Sequence, residues 1–230
     1  MYKVADLFDL SQTSHEALFV GDGPAWEALP RIKDYLVETL QPAILATVSP
    51  QAIVGENVSI GEGTIVAAGT CIEGPAIIGR NCQIRHNAYI RAQVIVGDNC
   101  VVGNACELKN ALLFNDCQVP HFNYVGDSIL GHHAHLGAGV VLSNFKSLPG
   151  NVTVQYGDDK IDTGLRKFGA LIGDHTEIGC NSVLNPGSII GRDCVVYPNT
   201  NWRGVLAEGH IVKNRAEQEI VERRINGPLR

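Results

Sequence analysis

Counted every sixth residue from Val54, the chain is apolar without exception: Val54, Ile60, Val66, Ile72, Ile78, Ile84, Ile90, Val96, Val102, Leu108 and Phe114. The next position is often glycine, at 55, 61, 79, 97 and 103. The fifth position of each rung is small or β-branched: Val58, Thr64, Thr70, Ala76, Cys82, Ala88, Val94, Cys100, Cys106. After Phe114 two rungs are each one residue short, giving Val119, Val125, Leu130, Leu136 and Leu142. The six-step returns at Ile172, Ile178, Leu184, Ile190, Val196 and Trp202. Neither a strand period of 2 nor a helix period of 3.6 produces this pattern, so it reads as an internal repeat and a solenoid. Each rung predicts one short strand with its first and fifth residues inward. Such coils bury their apolar rows only by stacking on one another.

The flanks differ. Over residues 1–50, Pro30 suits the first turn of a helix, and Ile32, Leu36, Val37 and Leu40 follow on one face before Pro42. This predicts a helical N-terminal cap over the end of the solenoid. Residues 51–206 form the repeat domain, with a loop thrown outward at 146–168, KSLPGNVTVQYGDDKIDTGLRKF. Loops of that length are usually functional. Residues 207–230 predict a terminal helix, with Asn214 as its cap and Ile220 and Val221 as apolar contacts.

Composition narrows the class. A net charge of −6 argues against nucleic acid or an anionic membrane as partner. Seven cysteines without a C-x-x-C pair suggest neither a disulfide framework nor a zinc knuckle. With no disulfide framework suggested, the cytoplasm is the expected compartment, and MYKVADLFDL has no signal-like apolar core. No run approaches membrane-spanning length.

Chemistry concentrates in VPHFNYVGDSILGHHAHLGAGVVLSNF, residues 119–145. One 18-residue coil separates Arg91 from Lys109, so the two should stack about 4.8 Å apart on one outer face. Such a pair repels unless an anion lies between, and a phosphate fits; two solvated surface residues is the plain alternative. His121, with Tyr124 three residues on, is a base candidate because a free imidazole titrates near neutrality, or simply an exposed histidine. His132, His133 and His135 are too closely spaced for the H-x-x-x-x-H pair of hexapeptide-repeat carbonic anhydrases, so no metal is expected. Cys82 and Cys100 read as core packing.

The region from Arg91 to Pro198, with HFNYVGDS at its centre, resembles the C-terminal acetyltransferase domain of the bacterial bifunctional enzyme that makes UDP-N-acetylglucosamine, and its archaeal sugar-1-phosphate relatives. The resemblance implies an all-β, left-handed parallel β-helix with three rungs per coil. It implies acetyl-CoA as co-substrate, a hexosamine 1-phosphate as acceptor, a homotrimer, and no metal in the chemistry. The family's base falls on His121 and its sugar-phosphate contacts on Arg91, Lys109, Tyr124, His135 and Lys167. Its acetyl-CoA contacts fall on Ala138, Asn144, Phe145, Cys180 and Pro198, and a backbone N–H near Gly137–Gly139 is the expected oxyanion donor. His135 replaces the usual asparagine, Cys180 a serine and Pro198 a small residue, which leaves the amino sugar open. No glycine-rich nucleotide loop lies in the first 50 residues, so uridylyl transfer is expected of a separate nucleotidyltransferase. The alternatives are a zinc carbonic anhydrase on the same helix and a non-catalytic trimeric sugar-phosphate-binding subunit.

Overall fold

A computed structural model describes residues 3–214 together with 220 and 221. Short parallel strands wind into a left-handed β-helix. A first face runs from Ala43–Ile44 through Val58–Ile60, Ala76–Ile78 and Val94–Val96 to Ala170–Ile172, Ser188–Ile190 and Val205–Leu206. The second face runs without a break from Thr47–Val48 to Ile211–Val212. The third includes Ile53–Val54, Cys71–Ile72, Tyr89–Ile90, Val141–Leu142, Val183–Leu184 and Asn201–Trp202. Two long strands, Glu107–Leu113 and Tyr124–Leu130, bend round the corner from third face to first and pair on both.

The expected inward rows are buried: Ile60, Ile78 and Val96 stand in register and are at most 1% exposed. Hydroxyls at the small inward position are satisfied by carbonyls, Thr64 on Gly79 at 2.7 Å and Thr70 on Arg85 at 3.1 Å. Cys82 and Cys100 pack in the same core, and their thiols are pushed well up, by a hydrogen bond with Cys100 and burial at Cys82, and by burial at Cys100. Gly103 marks the tightest approach between coils. A Cβ there would lie 1.5 Å from the Pro120 carbonyl oxygen.

The register corrects two expectations. Val96 pairs with Leu113, and Leu113 with Leu130, so the shortened rung precedes Phe114 and Leu113 takes the inward place. Two adjacent apolar residues left the hexad count unable to choose. Phe114 instead meets the rings of Phe8 and Phe19 at centroid distances of 5.2 and 5.9 Å.

The N-terminal segment lies along the flank rather than over the end. Strand pairing already begins at Ala43, inside the stretch expected to be cap. On the first face the middle residues Ile95, Leu112, Ile129, Leu171 and Ile189, which alternate away from the core, are also buried. This second apolar row needs a cover. Over the long strands, at Leu112 and Ile129, the helix Ala28–Thr39 provides it, with Ala28, Leu29, Ile32 and Leu36 inward. That contact face leaves Val37 out, 75% exposed.

Between Ile129 and Leu171 the register advances by 42 residues, 24 more than one coil. The excess is the expected outward loop, folded as an antiparallel hairpin, Thr153–Tyr156 with Asp159–Asp162. At the other end, strand Ile211–Val212 extends the second face past residue 206. The expected terminal helix falls outside the described residues, apart from Ile220 and Val221, which are exposed.

Candidate functional site

Stacking gathers Arg91, Lys109, Tyr124, Asn144, Phe145 and Lys167 around one open cavity of about 280 Å³. Arg91 and Lys109 stand one coil apart, as the pairing of Tyr89 with Glu107 and Ile90 with Leu108 requires. Asn144 and Phe145 follow the third-face strand Val141–Leu142, where the inserted loop leaves the coil. Lys167 stands where the loop returns, bridged antiparallel to Phe145. The Phe168 N–H then donates to the Asn144 carbonyl at 3.0 Å, closing the neck of the loop. Phe168 itself is buried, 6.0 Å from the Trp26 ring, so the flank segment also anchors the loop's base.

Carboxylates of the chain already neutralise the stacked cations. Arg91 pairs with Glu107 at 2.9 Å and Lys109 with Asp127 at 3.1 Å. The repulsion anticipated from the 18-residue spacing is therefore relieved internally, not by a required phosphate. Asp127 was not singled out from the sequence, although it lies 18 residues beyond Lys109. It is buried, and besides the ammonium it accepts from Asn110 Nδ2 at 2.9 Å and from Asn144 Nδ2. Asn144 Nδ2 also reaches the Tyr124 hydroxyl at 3.2 Å. Lys109, Asp127, Asn144 and Tyr124 thus form one connected network. Burial, and secondarily the Glu107 carboxylate, push the Tyr124 phenol upward, so it stays neutral and able to donate. Against three cations the pocket sets Glu107 and Asp127. Among the described residues Lys167 has no ion pair, which leaves a positive excess facing the opening.

The remaining site residues lie elsewhere. His121 ends the strand Gln118–His121 on the second face and is exposed at the corner leading to the third. Its N–H donates to Asn123 Oδ1 at 3.0 Å, and its carbonyl accepts from the Gly139 N–H at 2.9 Å. Stacked along this corner are Ala138, whose carbonyl accepts from Asn181, and Cys180, whose carbonyl accepts from Asn199. Cys180 and Pro198 line an apolar groove of about 320 Å³ with Gly137, Gly179, Val196 and Tyr197. His135 borders this groove but faces out from the second face, 2.5 Å from Glu177, and is not among the residues around Arg91 and Lys109. The N–H groups of Gly137 and Gly139 are spent on the carbonyls of Ile178 and His121. Among the described residues, Ala138 is the one of the three whose N–H has no acceptor. The expected residues therefore divide between a cationic pocket and an apolar groove at opposite edges of the third face.

Residues 169–201 match the bacterial transferase hexapeptide family (six repeats), and residues 72–159 match the GMPPB C-terminal domain. Residues 169–201 thus carry hexapeptide repeats, and the fold is a left-handed β-helix. It is 34% identical over 90 residues to the bifunctional sugar-1-phosphate nucleotidylyltransferase/acetyltransferase of Sulfurisphaera tokodaii, covering 39% of this chain and 22% of the relative. It is 35% identical over 94 residues to the bifunctional protein GlmU of Methanococcus vannielii, covering 38% and 22%. The chain thus spans about a fifth of the length of these relatives. Among solved structures, the UDP-N-acetylglucosamine acyltransferase of Campylobacter jejuni aligns with 14% identity and a TM-score of 0.38, over 70% of this chain and 69% of that one. No helix among the described residues is long and apolar enough to cross a membrane.

Proposed function

We propose that this protein transfers the acetyl group of acetyl-CoA to the amine of a hexosamine 1-phosphate, glucosamine 1-phosphate or galactosamine 1-phosphate, feeding nucleotide-sugar synthesis. The observation that carries the reading is the convergence of Arg91, Lys109 and Lys167, with Tyr124 and Asn144, on one cavity. A phosphate there displaces Glu107 and Asp127 as partner of the cations, Arg91 offering a fork and the lysines point charges. The apolar groove with Cys180 and Pro198, next to the corner that carries Ala138, suits the chain of a thioester donor, and Phe145 beside Asn144 borders the cationic pocket.

In the reaction the neutral amine nitrogen attacks the thioester carbonyl and forms the C–N bond. His121 takes the amine proton as general base. Collapse of the tetrahedral intermediate breaks the C–S bond, and the departing thiolate collects the proton. Ala138 N–H is the backbone donor left for the oxyanion. His121 and the cationic pocket sit at different corners, an arrangement that suits a homotrimer in which adjacent subunits frame one site. A separate nucleotidyltransferase would use the product.

A thiol-release assay with acetyl-CoA against both amino-sugar 1-phosphates and free amino sugars tests the proposal. The sugar phosphates are expected to turn over, and His121→Ala to lower kcat by about 10²–10⁴-fold with acetyl-CoA binding unchanged. Equal rates with free amino sugars, or full activity of His121→Ala, would overturn it.

A further inference from the structure

The corner between the first and second faces carries a cluster that the proposed chemistry does not use. In successive coils this corner holds Asn99, Asp116, His133, His175 and Asp193, all with positive φ. His133 and His175 therefore stack where neighbouring coils place asparagine or aspartate. Their rings lie 5.4 Å apart and nearly parallel, and His132 packs 4.2 Å from His133 and 5.4 Å from His175. Ligand atoms of Asp116, His132 and His133 all fall within 4.8 Å of one another.

We propose that Asp116, His132 and His133 bind a transition-metal dication of the zinc class at this corner, with His175 as fourth ligand. Three features of the geometry favour it. Imidazoles sharing a tetrahedral zinc at about 2.1 Å per nitrogen place their ring centroids about 5 Å apart, close to the 5.4 Å of the His175 pairs, while His132 and His133, at 4.2 Å, must part by about 1 Å to share the ion. The His132 Nδ1–H donates to the Asn115 carbonyl at 3.0 Å, which fixes the ring and leaves the lone pair on Nε2. The His132 backbone N–H is held by the buried Asp174 carboxylate at 2.8 Å, so the ring's anchor is rigid and anionic. Mixed imidazole and carboxylate donors select zinc, nickel or copper over magnesium. A bound ion would tie together three coils, those of Asp116, of His132 and His133, and of His175, the last two joined in sequence through the 24-residue insertion.

The site is independent of the acetyl-transfer reading and is tested without activity. Tag-free protein, stripped with EDTA and dialysed, is titrated with zinc by calorimetry, with magnesium as control. Saturable uptake of one zinc per chain is expected, with a raised Tm at excess zinc and no response to magnesium. His133→Asn inserts the residue that Asn99 supplies at the equivalent corner, so the fold is kept; it is expected to weaken zinc binding at least about tenfold. His175→Asn serves as the second variant by the same logic, and His210→Asn, exposed and outside the cluster, should bind as the unaltered protein does. Absence of saturable zinc binding, or binding retained in both His133→Asn and His175→Asn, overturns the proposal.

Discussion

Gly126 offers a test that separates the pocket from the scaffold. It sits beside Lys109 in the register, and a Cβ built on it would lie 2.6 Å from both Asn144 Nδ2 and the Tyr124 hydroxyl, and 2.8 Å from Tyr124 Cε1. These are tips of side chains that rotate away, so the overpacking cost of Gly126→Ala belongs at the low end, about 1 kcal/mol. The unfolded chain loses entropy on the same substitution, which offsets it by about 0.4–1 kcal/mol. The net effect on Tm is then within about 2–4 °C. The function should suffer far more. Tyr124 and Asn144 must move by an ångström or so and lose their mutual hydrogen bond, and a misplacement of that size costs on the order of 10²-fold in rate. Gly103→Ala is the counterpart. Its Cβ would meet backbone, Pro120 O at 1.5 Å and C at 2.0 Å, which cannot yield without parting two coils. Destabilisation beyond about 4 kcal/mol is expected, read as insoluble or unfolded protein. Calorimetry and the thiol-release assay on both variants decide the matter. Full sugar-phosphate turnover by Gly126→Ala would refute the pocket as the acceptor site, and a matching loss of stability in the two variants would refute the distinction between side-chain and backbone neighbours.

Arg91→Ala and Lys109→Ala should each raise KM for the sugar phosphate about ten- to a hundred-fold, the loss of one charge-assisted contact, with KM for acetyl-CoA little changed in steady-state kinetics. Asp127→Ala strands the Lys109 ammonium and the amides of Asn110 and Asn144; because Lys109 is still 23% exposed, the cost falls below that of a fully buried broken pair, about 2–4 kcal/mol in urea melts, and unchanged stability would remove Asp127 from the network. His15 donates to or accepts from the Tyr35 hydroxyl at 2.9 Å, and burial holds its pKa below the usual 6.5. The unfolded chain then binds the extra proton first, so the contribution of His15 is present above about 6.5 and is lost as pH falls through its lower folded value. Urea melts of His15→Gln across that window should show a weaker acid-side decline than the unaltered protein, and an identical slope would contradict the assignment.

The hexad count fixed the architecture because it reports a local constraint repeated in every coil: one apolar residue inward per rung, and a small one at the crowded fifth place. The same count located the outward loop, since the period fails there and resumes in phase. It also placed Arg91 over Lys109, as one coil is one strand spacing. What it missed depends on surfaces that coils share with something else. Leu113 and Phe114 are both apolar, and only pairing with Val96 chooses between them. The row Ile95, Leu112, Ile129 and Leu171 satisfies the hexad rule silently, and only the packed helix Ala28–Thr39 shows that this face is covered. Asp127 looks like any corner aspartate until the fold turns it onto Lys109 and Asn144. His175 stands 42 residues from His133, a separation that acquires meaning only when the insertion is looped out and the two corners stack. A repeat dictates what each coil buries within itself; which side chains meet on the outside is decided by the register between coils and by the segments laid against them.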